Sequence, residues 1–174
     1  SGYDEEVEPV FNWQGSMMSQ AMRDPLFLAA LDIANEDIPV VGDFCLRCHT
    51  PNGFLEGRTV PTDGSALLTT DNDYEGVFCD FCHAMIDPLS VEADALVEPD
   101  VTTYGMGMFV ISTGTERRGP YDDATASHSW QYSPFHRTGD FCGQCHDVSN
   151  PTNCPPGEEY NTQACYPVER TYSE

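Results

Sequence analysis

Three short segments carry the residues best placed for chemistry: Cys45-Leu46-Arg47-Cys48-His49, Cys79-Asp80-Phe81-Cys82-His83 and Cys142-Gly143-Gln144-Cys145-His146. Each reads Cys-x-x-Cys-His, the attachment pattern of c-type haem. The spacing has a mechanical reason. Two thiols three residues apart lie on one side of a helical turn, where each can add to one vinyl group of a haem. The next residue then presents an imidazole to the iron. A single match could be a redox dithiol or half of a zinc site. Three matches, each with His directly after the second Cys, use six of the eight cysteines and three of the five histidines. Neither zinc nor dithiol chemistry requires that adjacent histidine. The expected cofactors are three haem c groups, held by these six cysteines and by His49, His83 and His146.

Each iron so held has a second axial position. His128 and His136 lie outside the motifs, and imidazole is a strong axial donor, so both are candidate distal ligands. Five histidines leave one position of six to something else. The candidates are a thioether, a histidine of another chain, or an open site. Thioethers are available at Met17 and Met18, and at Met106 and Met108 in a Gly-rich segment. Met85 follows the second motif too closely to reach the far face of its haem.

The two remaining cysteines, Cys154 and Cys165, are eleven apart near the C-terminus. Haem c is attached in an oxidising compartment, where disulfides persist, so a bond between them is expected, the alternative being that each is a free thiol buried beside a haem. That expectation places the protein outside the cytoplasm, in the periplasm or at the cell surface.

The elements that must position these groups are short. Asp24-Pro25 reads as an N-cap followed by proline in the first helical turn. Leu26, Ala29, Ala30 and Ile33 then recur on one helical face, and Met18 and Met22 share a face of the preceding piece. Residues 50–75 read as loop, as does the stretch from Asp87 to Thr103. Met108-Phe109-Val110-Ile111 is strand-like, and a turn through Ser112 to Gly114 would fold it into a hairpin. Nothing after Pro155-Pro156-Gly157 reads as a further core segment. The expected fold is mainly α with much irregular structure, a small cytochrome c domain organised around three packed haems. Its divisions are an acidic, loose segment 1–12, a trihaem domain 13–151, and a disulfide-stapled loop segment 152–174.

Composition agrees with a thin protein core supplemented by macrocycles: 40% of the 174 residues are hydrophobic, with 14 Gly and 13 Pro. No apolar run approaches the roughly 20 residues that span a bilayer. The N-terminus lacks the basic and apolar regions of a signal peptide and reads as already processed. Twenty-nine acids face seven bases, all Arg. Such a charge disfavours nucleic acid and anionic membranes; it reads first as a solubilising acidic surface, and beyond that it suits a redox partner with a basic docking surface.

Several strings together resemble a known family. Trp13-Gln14-Gly15-Ser16-Met17-Met18, Arg23-Asp24-Pro25-Leu26-Phe27, Cys45-Leu46-Arg47-Cys48-His49-Thr50-Pro51, Gly76-Val77-Phe78-Cys79 and Phe141-Cys142-Gly143-Gln144-Cys145-His146-Asp147 are similar to segments of bacterial multihaem c-type cytochromes related to the cytochrome c-554 type. The resemblance spans roughly residues 13–151. It implies that the position after Ser16-Met17 supplies a distal ligand, which here is Met18 rather than His. It also implies that the chain could continue beyond Arg170-Thr171-Tyr172-Ser173-Glu174 into further haem motifs. The expected function is electron transfer without catalysis. The alternatives are a subunit of an extracellular haem filament with ligation between chains, and a reductase with one five-coordinate haem.

Overall fold

The computed structural model describes residues 8–97, 101–150, 154–156 and 167–170. The chain divides into two compact units, Ser1–Cys82 and His83–Glu174. Among the described residues helices dominate, with three small two-stranded sheets.

The first unit opens with three helices, α1 (Pro9–Gln14), α2 (Met17–Gln20) and α3 (Pro25–Asp37). α1 thus begins inside the segment expected to be loose. Ser16 caps α2 by accepting from the Ser19 N–H. Asp24 caps α3 through the Leu26 N–H, with Pro25 in the first turn, as the sequence indicates. Because α2 stops at Gln20, Met18 and Met22 do not share a helical face. Met22 turns into the core, while Met18 remains half exposed. The stripe Leu26–Ile33 also behaves differently from a core face: Leu26 is 78% and Ile33 61% exposed. The opposite residues, Phe27 and Leu31, face inward.

The core of this unit is small. Met22, Leu31, Leu46 and Leu67 form it, with Phe27, Cys45 and Tyr74 packed against it. Each buried side chain contributes roughly 1.5–3 kcal/mol, so polar ties carry a large share of the order. Helix α4 (Gly42–His49) packs on α3. Asn35 of α3 accepts from the Gly42 N–H at 3.1 Å and donates to the Thr62 carbonyl at 2.9 Å. A Cβ on Gly42 would sit 2.1 Å from that carbonyl, so only glycine permits this start of α4.

The stretch 50–75, expected as loop, contains α5 (Pro51–Leu55) and a 3-10 turn, Asp73–Glu75. Asp73 is fully buried and ties this region together. It accepts two bonds from Arg58 at 2.8 Å, one from Asn52 Nδ2 and one from the Leu68 N–H, both also at 2.8 Å. Burial by itself would raise the Asp73 carboxyl. The bonds from Arg58, Leu68 and Asn52 outweigh it and hold the group below the ordinary carboxylate range. The Thr50 hydroxyl donates to the Asp73 carbonyl at 2.6 Å, fixing the chain as it leaves α4.

Helix α6 (Cys79–Ala84) contains the division between the units. In the second unit, β1 (Met85–Ile86) pairs antiparallel with β2 (Val110–Ile111). The expected hairpin at 108–114 does not form. β2 takes β1 as its partner, and the next strand, β3 (Arg117–Gly119), pairs in parallel with β4 (Trp130–Tyr132). Short α7 (Val91–Asp94), capped by Ser90, lies in the stretch expected to be irregular. Ile86, Ala93, Val101 and Val110 form the core beneath it.

Helix α8 (Gly139–His146) leads into β5 (Asp147–Ser149), which pairs antiparallel with β6 (Pro167–Arg170). A strand therefore lies in the segment 152–174 expected to be loop, although its Val168 is exposed and joins neither core cluster. Its formation depends on a distant partner strand, which local patterning does not register. Among the described residues no helix is long and apolar enough to cross a membrane.

Candidate haem-binding site

Each Cys-x-x-Cys-His segment is helical at its chemistry-bearing residues. α4 carries Cys45, Cys48 and His49, α6 carries Cys79, Cys82 and His83, and α8 carries Cys142, Cys145 and His146. At positions i, i+3 and i+4 the two thiols and the imidazole share one helical face. None of the six cysteines is in a disulfide. Burial, followed by the proximity of Cys48, pushes the Cys45 thiol up. A redox-active dithiol needs the opposite shift.

The histidines are oriented through Nδ1. In His49 this atom donates to the Ala21 carbonyl at 2.9 Å, and the ring stacks on Phe27 with centres 3.6 Å apart. In His83 it donates to the Arg118 carbonyl at 2.6 Å. A carbonyl can only accept, so both rings carry the proton on Nδ1 and present a basic Nε2. His146 Nδ1 meets the carboxylate of Glu169 at 2.5 Å. His128 Nδ1 donates to the Ser129 carbonyl at 3.0 Å, and His136 Nδ1 bonds the Ser133 hydroxyl at 2.9 Å. Metal-bound histidines are held in this manner by their other nitrogen.

Two histidines meet. The rings of His83 and His136 lie with centres 6.5 Å apart and planes inclined by 20°. An imidazole nitrogen bonds a metal at about 2.0–2.1 Å. A ring with bonds of about 1.33 Å has its centre about 1.1 Å behind that nitrogen. Two imidazoles on opposite sides of one metal thus have centres about 6 Å apart, close to the spacing found. The pairing is supported from behind: Phe141 packs on His136 at 4.4 Å, and Phe135 packs edge-on against both rings. Tyr104 stacks on Phe135 and donates to Asp87 at 3.2 Å. Burial, then the Asp87 charge, pushes its hydroxyl up to about 12.

His128 is exposed, yet it lines a cavity of about 230 Å³ together with His83, Tyr121 and Trp130. Arg118, whose carbonyl holds His83, is itself buried. Its guanidinium pairs with Glu92 at 2.5 Å, while its second terminal nitrogen is buried without a hydrogen-bond partner. A buried cation with an unused donor suits an acidic substituent of a bound group, and haem carries two propionates.

The methionines separate. Met106 is buried at positive φ, and its sulfur accepts from the Ser149 N–H at 3.0 Å, which commits it to packing. Its neighbour Gly105, at φ +93°, lies so close to the Asp147 carbonyl that a Cβ would be 2.6 Å from it. The Gly107 N–H donates to the Gln144 carbonyl at 2.7 Å, so this loop braces the third motif and brings Met108 to the same unit. Met85 is buried at the edge of β1. Met17 is exposed. Met18 stands on α2, three residues before the carbonyl that anchors His49, and its own carbonyl accepts from the Val77 N–H at 3.0 Å. Cys154 is disulfide-bonded, and Cys165 lies outside the described residues.

Among the described residues no group of three or more His, Cys, Asp or Glu is disposed to hold a metal ion. An iron carried in a macrocycle would need at most two donors from the chain. No protein-family profile, curated protein or solved structure matches the chain.

Proposed function

We propose that this protein is a trihaem c-type cytochrome that transfers electrons outside the cytoplasm. The observation that carries the reading is the His83–His136 pair, set at bis-imidazole spacing beside a motif made for covalent haem attachment. Cys45, Cys48 and His49 would hold one haem; Cys79, Cys82 and His83 the second; Cys142, Cys145 and His146 the third. His136 would complete the second iron. His128, Met18 and Met108 are then the donors left for the other two, with Met18 favoured at the first.

Haem supplies one-electron chemistry, and the protein supplies position, ligands and burial. With both axial positions of an iron filled by side chains, a substrate has no place to bind there. That supports a carrier over a reductase. The cysteine chemistry and the Cys154 disulfide support an oxidising compartment. The excess of 29 acids over seven bases supports a partner with a basic docking surface.

The test is the mass of the denatured, mature protein. Thioether bonds survive unfolding, so three haem additions are expected. Two or fewer additions would defeat the reading.

A further inference from the structure

The three motif histidines differ in what their Nδ1 atoms face. His49 and His83 each donate to a neutral main-chain carbonyl, of Ala21 and Arg118. His146 instead meets a carboxylate, Glu169 Oε1, at 2.5 Å. This contact is assembled by the β5–β6 pairing. The ladder sets Val148 beside Glu169, which brings residue 169 alongside the residue two places after His146.

We propose that Glu169 is a positioning residue that lowers the reduction potential of the iron held by His146 and so sets the third haem apart from the other two. The proposal rests on the haem reading above. A carboxylate draws the Nδ1 proton toward itself, which increases negative charge on the ring and makes Nε2 a stronger donor. A stronger donor stabilises the ferric state more than the ferrous state, and second-sphere hydrogen bonding is one of the protein's means of setting haem potential. A main-chain carbonyl acts in the same direction but carries no net charge. Glu169 and His146 have side chains 40% and 49% exposed, so solvent weakens the effect without removing it.

The experiment is a redox titration of the haem-loaded protein at neutral pH, followed optically, with the electron paramagnetic resonance of the ferric haems as a second readout. Glu169→Gln keeps the size of the side chain and removes its charge. Outer-sphere partners of metal ligands are typically worth 10- to 100-fold. Taking tenfold for this exposed pair, one of the three midpoints should rise by about 59 mV, the one-electron equivalent. The resonance of a single ferric haem should shift with it. Glu169→Asp, which keeps the charge on a shorter arm, should raise the same midpoint by less. Val168→Thr, at an exposed position of the same strand, should move none.

No change in Glu169→Gln, or an equal shift of all three midpoints, would overturn the proposal. If that variant loses its third haem, Glu169→Asp decides, since an unmoved midpoint there is equally adverse. A protein that carries no covalent haem would instead defeat the cytochrome reading, and Glu169 with it.

Discussion

Replacing His136 with Ala tests the central geometric claim. The ring centres of His83 and His136 are 6.5 Å apart. With both Nε2 atoms turned toward each other along that line, removing two ring radii of about 1.1 Å each would leave about 4.3 Å between them. Two bonds of about 2.05 Å need about 4.1 Å, so an iron held between rings so turned would require only a few tenths of an ångström of adjustment. Alanine at 136 removes one imidazole donor entirely. On the trihaem reading proposed above, one of the ferric haems should change from low to high spin, and added imidazole should restore it. The measurement is the ferric optical and electron paramagnetic resonance spectrum of the loaded protein. His128→Ala should leave the second haem low-spin, although His128 lines a cavity beside His83. The reasoning is refuted if His136→Ala leaves all three haems low-spin, or if His128→Ala converts the second haem instead.

Asp73→Asn should destabilise the first unit by roughly 3 kcal/mol, the low end for breaking a buried ion pair, because Arg58 keeps some contact with water. The folded Asp73 carboxyl lies below its unfolded value, so its contribution is complete above about pH 4 and is lost as the pH falls through the folded value. Denaturant titrations should show a constant gap between the proteins at neutral and mildly acidic pH that closes in strong acid. If Met18 ligates iron, one haem should titrate well above the others and show a near-infrared sulfur-to-iron charge-transfer band. Met18→His should lower that potential and abolish the band, whereas its loss in Met108→Leu would move the assignment there. Cys154 should resist alkylation until a reductant is added, and immediate labelling would contradict its disulfide.

The sequence alone determined that thiol, thiol and imidazole share a helical face in each motif, because residues at i, i+3 and i+4 need only one turn of helix to do so. It likewise placed the start of α3, where Asp24 and Pro25 act on backbone groups within the next few residues. It could not orient α3. The segment is apolar at Leu26, Phe27, Leu28, Ala29, Ala30, Leu31 and Ile33, so periodicity offers more than one stripe, and the Asn35–Gly42 contact with α4 decides which is buried. The pairing of His83 with His136 and the contact of Glu169 with His146 also belong to tertiary structure alone. Both join residues far apart in the chain, through the Phe135–Phe141 cluster in one case and the β5–β6 ladder in the other. Local propensity specifies which donors a chain owns. Which donors face one another is set by packing and strand pairing between segments that carry no local mark of their partner.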